Sequence, residues 1–171
     1  MTFHTATHTD LIPIAQLHAK SWQLHYRGIL SEEYLTNVVE KERLEVWTKR
    51  FTNPTPNQYI ITAKEGDKLC GFSCLFSQQH FKFGSLLDNL HVASNRKRQG
   101  IGRQLIQLSR EWVSSKSPNE GMYLWVYESN KSAIDFYKNM GGTLVEMKAH
   151  RLEDGSGNFA NALRFYWSPM E

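Results

Sequence analysis

Apolar residues recur along the chain with two different spacings, and the changes between them predict alternating strands and helices. Helical spacing predicts one helix from Thr9 or Asp10, a helical region after Ser31, and two later helices, one from Ile101 to near Lys116 and one beginning at Asn130. Alternating or short apolar runs predict about six or seven strands, at residues 2–6, 58–63, 68–76, 85–92, 122–126, 143–151 and 162–167. The pattern therefore predicts an α/β (α+β) chain with one mixed sheet flanked by helices.

Composition favours a single globular domain spanning residues 1–171, with 40% hydrophobic and 22% charged residues and a net charge of +3. No apolar run approaches the roughly 20 residues needed to span a membrane. The N-terminus also lacks a signal-peptide pattern, so we expect a cytoplasmic protein without membrane association. Alternation along one strand places Cys70 and Cys74 on the same face, as reduced core thiols too far apart to bond.

The stretch from Asp88 to Leu105 joins a short apolar strand to a helix through a basic turn. Gly100 and Gly102 fall where the helix begins, and four basic residues surround them: Arg96, Lys97, Arg98 and Arg103. The first amides of a helix have no carbonyl partners and carry partial positive charge. Glycine allows an anion to approach them closely. The stretch therefore predicts a site for a phosphate-bearing ligand.

Two common phosphate-binding motifs do not fit this stretch. A P-loop requires Gly-Lys-Ser/Thr after its second glycine, where this chain has Arg103 and Gln104. A dinucleotide-binding fingerprint requires a third glycine, where this chain has Leu105, and an early βαβ unit.

A second segment, residues 130–142, begins another helix just after the apolar strand at 122–126. The two segments together resemble the GNAT superfamily of acyl-CoA-dependent N-acetyltransferases. Its glycine motif, Gln/Arg-x-x-Gly-x-Gly/Ala, matches Lys97 to Gly102, and its later signature, Asn-x-x-Ala-x-x-Phe/Leu-Tyr, matches Asn130 to Tyr137. The chain departs from the family at Lys97, which replaces Gln or Arg, and at Gly142, which stands where an aromatic residue usually packs.

The resemblance implies a largely antiparallel sheet whose fourth and fifth strands splay apart to admit the pantetheine arm of acetyl-CoA. It implies no metal. The backbone around Gly100 and Gly102 would bind the pyrophosphate, the strand at 90–92 would pair with the arm, and Asn130 would hydrogen-bond it. The expected cofactor-binding residues are Leu90, His91, Val92, Lys97, Arg98, Gln99, Gly100, Ile101, Gly102, Arg103, Asn130, Ala133, Phe136 and Tyr137.

Tyr137 matches the family tyrosine that acts as general acid on the leaving thiolate. A phenol of pKa about 10 is a weaker acid than a thiol of about 8.5, so hydrogen-bond stabilisation of the thiolate is the alternative to full proton transfer. A primary ammonium must also lose a proton before it attacks, which requires a base or a water chain. The strand glutamates that many relatives use are absent, leaving Asp88, Glu128 and His91 as candidate bases.

The acceptor pocket is expected from the N-terminal helices and the last hairpin. An aromatic and basic cluster before Gly28 could line it, and Trp22, Tyr26 and Arg27 are the predicted substrate-binding residues beside His25. Packing of a core or hinge is the alternative interpretation of this cluster.

The resulting hypothesis is an N-acetyltransferase in which a primary amine attacks acetyl-CoA directly in a ternary complex. The expected acceptor is a small-molecule amine, with a protein N-terminus or lysine as the alternative. A non-catalytic acyl-CoA sensor is a further alternative. Nucleic-acid binding through Arg96 to Arg103 is not expected, because DNA requires a broader basic face. A homodimer is compatible with the resemblance.

Overall fold

The computed structural model describes residues 1–170. Its strands are β1 (Thr2–Thr5), β2 (Gln58–Glu65), β3 (Lys68–His80), β4 (Gly84–Val92), β5 (Met122–Tyr127), β6 (Thr143–Arg151) and β7 (Phe159–Trp167). Its α-helices are α1 (Leu11–His25), α2 (Glu32–Asn37), α3 (Val39–Thr52), α4 (Ile101–Lys116) and α5 (Lys131–Asn139). Short 3-10 turns cover His8–Asp10 and Ser94–Arg96.

All seven strands form one sheet in the order β1-β2-β3-β4-β5-β7-β6. Every neighbouring pair is antiparallel except β4 and β5, which are parallel. These two strands pair only at Ser85 with Met122 and at Leu86 with Tyr123. Beyond that point they separate, although β4 continues to Val92 and β5 to Tyr127. The predicted fold class and its splayed fourth and fifth strands are confirmed.

Helices cover both faces of the sheet. On one face, α4 and α5 contribute Leu105 and Ile134 to a core that includes Phe165 of β7. On the other face, α1 and α3 pack Ile14 and Trp47 against β2 and β3. A third cluster joins α1, α2 and the loop after β6, and its buried residues are Ala19, Leu30, Tyr34, Leu35, Val39 and Leu152. This cluster lies beside the open end of the sheet.

The predicted caps fix where two helices begin. The Ser31 hydroxyl accepts a hydrogen bond from the Tyr34 amide at 3.3 Å and starts α2. The Asn130 side chain accepts one from the Ala133 amide at 3.3 Å and starts α5. The second cap positions the segment in which cofactor-binding residues are expected.

Two predictions along β3 are wrong. The strand continues to His80, so the turn into β4 is shorter than expected. Cys70 also does not share a face with Cys74, because the pairing of β2 with β3 shifts register opposite residue 70. The bulge turns Cys70 toward the α4 side, while Cys74 remains in the α1 and α3 cluster. Both thiols are free and buried, as predicted.

Candidate active site

A cleft of about 1070 Å³ opens where β4 and β5 separate. It is at the upper end of the range for small-molecule sites, roughly 300–1,000 Å³. Four parts of the chain form its walls: the end of α1, the second half of β4, the turn into α4, and β5 with α5. Predicted residues that line it are Trp22, Tyr26, Asp88, Leu90, His91, Val92, Lys97, Arg98, Gly100, Ile101, Gly102, Arg103, Asn130, Ala133, Phe136 and Tyr137.

The basic turn, defined as the segment from Arg96 to Arg103, presents free backbone amides to this cleft. Arg98 and Gly100 both adopt left-handed conformations, with φ of 63° and 80°. This conformation is unfavourable for Arg98, and such strain concentrates at functional sites. No side chain caps α4, and its first turn contains no acidic residue. The amides at the start of α4 are therefore available to an anion, with Lys97, Arg98 and Arg103 around them.

The two glycines of the basic turn serve different purposes. At Gly100 the requirement is conformational, because its left-handed backbone favours glycine. Space is not the constraint, since a Cβ there would meet no atom within 4 Å. Gly102 is required for packing, because a Cβ would lie 3.1 Å from the Phe136 ring. This close approach brings α5 against α4, so that Tyr137 and the basic turn line one cleft.

Tyr137 is nearly buried, with 9% of its surface exposed. Burial raises the pKa of its phenol to about 12. The ring lies 6.0 Å from that of Phe165 and 6.1 Å, edge to face, from that of Trp167. Tyr137 also lines the cleft, and its raised pKa keeps the phenol neutral near pH 7.

The aromatic residue missing at Gly142 is supplied by Trp167. A Cβ on Gly142 would lie 2.6 Å from the Trp167 indole, which therefore occupies that space. The indole nitrogen donates a hydrogen bond to the Met140 carbonyl at 2.8 Å. The end of α5 is thus packed from β7 rather than from its own following residue.

Asp88 occupies a bulge in β4. Cys74 pairs with Asn89 and Leu75 with Leu87, which leaves Asp88 without a partner on β3. Arg50 of α3 donates to the Asp88 carboxylate and to the Asn89 side-chain oxygen, both at 2.7 Å. Arg50 therefore positions two cleft residues at the point where β4 leaves β5.

His91, which lines the cleft, lies against the fully buried His18, with ring centroids 4.6 Å apart. His91 hydrogen-bonds to the Ser21 hydroxyl at 2.8 Å, and burial, with smaller effects of His25 and Arg43, lowers its pKa to about 3. The Trp47 indole donates to Nδ1 of His18 at 3.0 Å. Burial also lowers the pKa of His18 well below its usual value. Both rings are thus neutral near pH 7.

The end of α1 supplies the aromatic end of the cleft. The Tyr26 ring lies 5.3 Å from Trp22 and 5.2 Å from Tyr127. Burial raises the pKa of Tyr26, and Tyr137 contributes to this rise. Both tyrosines line the cleft. The Arg43 guanidinium covers the Trp22 ring at 4.2 Å.

Three predicted site residues are not among those that line the cleft. Gln99 lies exposed in the basic turn. Glu128 accepts a hydrogen bond from the Asn161 side chain at 3.0 Å, and its amide bonds to the Asn161 carbonyl. Arg27 is exposed because α1 ends at His25 and the chain then turns through Gly28. The lining of the cleft therefore includes Asp88 and Tyr137 but not Glu128.

Sequence reasoning missed several polar or aromatic residues of the site, among them Ser21, Asn89, Trp125 and Arg50. Ser21, Asn89 and Trp125 line the cleft, and Arg50 holds its β4 wall. Trp125 could have been found from its alternation on β5, opposite to buried Leu124. Asn89 and Arg50 carried no local signal, because their roles depend on the β4 bulge.

Within residues 1–170, no helix is both long and apolar enough to cross a membrane. The same residues contain no group of three or more His, Cys, Asp or Glu side chains arranged to hold a metal ion.

Parallel strands that separate beside a helix N-terminus with free amides define a class of protein, one with a cleft for an elongated, phosphate-bearing ligand. The sequence profile of the Acetyltransferase (GNAT) family matches residues 20–141. The chain therefore belongs to the GNAT family of acetyltransferases, as the sequence motifs predicted. Acetyl-CoA is its acyl donor.

Similar proteins have names or folds consistent with this membership. The chain is 28% identical over 141 residues to the uncharacterized N-acetyltransferase YuaI of Bacillus subtilis, covering 81% of this chain and 78% of the relative. The PaiA N-acetyltransferase of Thermoplasma acidophilum, solved with coenzyme A, superimposes with a TM-score of 0.68 at 19% identity, covering 95% and 98%. Arabidopsis thaliana NAA60, solved with a bisubstrate analogue, gives 0.71 at 19% identity, covering 98% and 97%.

Proposed function

We propose that this acetyltransferase transfers the acetyl group directly to a primary amine, and that the acceptor is a small molecule. The observation that carries the proposal is the cleft itself. It joins the free amides of the basic turn, the Tyr137 hydroxyl, and an aromatic end formed by Trp22 and Tyr26. In this proposal the acetyl-CoA site, the tyrosine that stabilises the leaving thiolate and the wall of the acceptor site share one continuous space.

In this proposal the basic turn binds the pyrophosphate of acetyl-CoA. The amides around Gly100 and Gly102 would donate to its oxygens, and Lys97, Arg98 and Arg103 would add charge-assisted hydrogen bonds. The edge of β4 at Leu90 to Val92 faces the gap left by β5, so its backbone can pair with the amides of the pantetheine arm. The cap residue Asn130 also lines the cleft and would bind the same arm.

Tyr137 is proposed to stabilise the leaving thiolate as a hydrogen-bond donor. With a phenol pKa of about 12 and a thiol pKa of about 8.5, complete proton transfer would cost roughly 5 kcal/mol. A donated hydrogen bond avoids that cost and still stabilises the charge that develops on sulfur. The high pKa also keeps the donor protonated throughout the neutral and moderately alkaline range.

Asp88 is proposed to orient the amine. Its carboxylate lies at the open end of the parallel pair, where an ammonium group approaching from the aromatic end would meet it. Arg50 fixes the carboxylate through an ion pair of 2.7 Å. An Asp held in this way can accept a hydrogen bond from the incoming nitrogen and direct it toward the thioester.

A small-molecule acceptor is proposed because Trp22 and Tyr26, which line this end, pack against a cluster that includes Leu152 of the loop after β6. The Ser31 amide donates to the Asp154 carboxylate at 2.8 Å, tying the loop after β6 to the start of α2. Leu152 of the same loop is buried against this region. A protein N-terminus or a lysine is the alternative acceptor, and it would have to reach past these contacts.

Direct attack is supported by the positions of the two thiols. Neither Cys70 nor Cys74 lines the cleft, and burial raises the pKa of Cys74 to about 12. A neutral, buried thiol is a poor nucleophile, so a covalent acyl-enzyme is not expected.

The test is thiol release from acetyl-CoA across a panel of small amines, amino acids and peptides, with initial rates measured at varied concentrations of both substrates. We expect intersecting double-reciprocal lines for a small amine. Parallel lines, together with loss of turnover in a folded Cys70→Ser/Cys74→Ser variant, would contradict direct attack. Turnover of peptides alone would contradict the acceptor class. Tight CoA binding with no turnover of any amine would instead favour a sensor.

A further inference from the structure

A single contact spans the cleft between the cofactor side and the acceptor side. Nζ of Lys97, in the basic turn, lies 3.0 Å from Nε2 of His25, in the last turn of α1. Both residues line the cleft. The contact therefore links the expected phosphate site to the helix that supplies Trp22 and Tyr26. A catalytic role for this contact rests on the proposed transfer of acetyl to an amine.

The contact determines which nitrogen of His25 carries its proton. A lysine ammonium can only donate, so Nε2 of His25 must accept and its proton must lie on Nδ1. The lone pair on Nε2 is the only site at which neutral His25 could take up another proton. While Lys97 occupies it, His25 cannot act as a base.

Phosphate is a stronger partner for Lys97 than a neutral imidazole. Phosphate carries negative charge that attracts the ammonium, whereas a neutral imidazole has no net charge to do so, and the basic turn would place the phosphate site beside the Lys97 backbone. An incoming pyrophosphate would therefore draw the ammonium away from His25. The imidazole would then face the cleft with its Nε2 lone pair free.

We propose that His25 is the base that deprotonates the acceptor ammonium, and that it becomes available only when acetyl-CoA draws Lys97 to its pyrophosphate. Nε2 of His25 takes one proton from the ammonium, and the neutral nitrogen forms a bond to the thioester carbonyl carbon. The carbon–sulfur bond breaks, and the hydroxyl of Tyr137 stabilises the CoA thiolate with a hydrogen bond. The second proton of the attacking nitrogen passes to that thiolate. His25 later releases its proton to solvent, so the reaction yields amide, thiol and one proton.

The surroundings of His25 support this sequence of events. Burial lowers the pKa of His25, and the charge of Lys97 lowers it further. His25 is also coupled to neutral His91 of β4, whose pKa it helps to lower. Because Lys97 is the charge closest to the ring, neutralising it with phosphate raises the basicity of His25 when the base is needed. In the free enzyme, by contrast, Lys97 occupies Nε2 of His25 and prevents it from acting as a base.

The direct test is an NMR titration of the histidine ring nitrogens, with and without coenzyme A, in wild type and in Lys97→Met. His25 is assigned from the signal missing in His25→Gln. We expect coenzyme A to raise the His25 midpoint in wild type. In Lys97→Met the midpoint should already be higher without ligand and should move less on adding it. An unchanged wild-type midpoint despite bound coenzyme A would overturn the proposal, whereas failure to bind coenzyme A would overturn the proposed function instead.

Kinetics provide the second test. His25→Gln keeps a polar side chain but cannot take up a proton, so kcat with saturating acetyl-CoA should fall about 100-fold, the lower end for general-base catalysis. The acidic limb of its pH–kcat profile should also disappear. His4→Gln, at an exposed histidine on β1, is the matched control and should change neither quantity. A His25→Gln enzyme that keeps kcat within twofold and retains the acidic limb would refute the assignment.

Discussion

The two ends of the cleft are built in different ways. The proposed cofactor end comes mainly from two short segments, residues 97–103 and 130–137, and would use backbone amides at a helix N-terminus. The acceptor end combines side chains from α1, the β4 bulge and β5, supported by α3 and the loop after β6. The cofactor end is formed by residues close together in sequence and depends on their backbone conformation. The other depends on how distant elements meet.

This difference explains why sequence patterns point to most residues of the proposed cofactor end but to only some of the proposed acceptor end. Backbone recognition requires particular residues at fixed spacing, such as glycine at a left-handed position and an Asn cap. Those requirements leave a recognisable pattern. A side-chain pocket can be made from many residue types, provided that the tertiary structure brings them together. We therefore expect separable effects of substitutions at the two ends.

The largest expected effect is at the acceptor end. Asp88→Asn should lower kcat/KM for the amine by about 10- to 100-fold, because a hydrogen bond to a charged group contributes roughly 1.5–3 kcal/mol. The affinity for coenzyme A, measured by calorimetry, should remain within twofold of wild type. Steady-state kinetics at saturating acetyl-CoA provide the measurement.

Glu128→Gln is the matched control for Asp88→Asn. Its carboxylate pairs with Asn161 and does not line the cleft, so amine kinetics should be close to wild type. If Glu128→Gln lost as much activity as Asp88→Asn, the acceptor end would be misassigned. A parallel loss of coenzyme A affinity in Asp88→Asn would show that the two ends are not separable.

A smaller effect is expected at the cofactor end. Gly100→Val forces a β-branched residue to φ of 80°, and the left-handed conformation costs roughly 1–2 kcal/mol. Coenzyme A affinity should fall by about 5- to 30-fold through distortion of the basic turn. Gly100→Asn tolerates the same backbone and should bind within about threefold of wild type. Equal binding by the Val and Asn variants would rule out a conformational requirement at residue 100.

The smallest effect concerns His91, a partly buried residue of the cleft wall. Its folded pKa of about 3 lies below the unfolded value of about 6.5, so the unfolded chain binds more protons and stability is lost as pH falls below about 6.5. Between pH 7.5 and 5.5 this single group should remove about 1.4 kcal/mol from the free energy of unfolding.

Urea unfolding at these two pH values, in wild type and His91→Gln, measures that loss. The variant should lose about 1.4 kcal/mol less than wild type over the same interval. An identical pH dependence in both proteins would mean that His91 is charged in the folded state or accessible to solvent.

Regular elements could be predicted from sequence because each depends on local patterns. The strand at Thr143–Arg151 and the helix ending at Lys116 match their predicted bounds, and Ser31 and Asn130 cap their helices. The cofactor end followed from the same kind of signal. The splay between β4 and β5 was inferred from the family resemblance rather than from periodicity.

Features that depend on pairing register or on distant side chains could not be predicted. A bulge moves Cys70 to the opposite face from Cys74, and another bulge isolates Asp88 from β3. Neither shift alters the alternation of apolar residues enough to be seen in sequence. The packing of Trp167 over Gly142 likewise joins residues from β7 and the end of α5, which no local pattern connects.

The most direct test of the proposed reaction compares wild type with Tyr137→Phe in thiol release from acetyl-CoA, using the best amine from the acceptor panel. We expect kcat to fall about 100-fold, because one preorganised hydrogen-bond donor is lost from the developing negative charge. KM for acetyl-CoA should stay within twofold, since the basic turn is unchanged. A Tyr137→Phe enzyme with wild-type kcat would contradict the assignment of Tyr137 to the leaving thiolate.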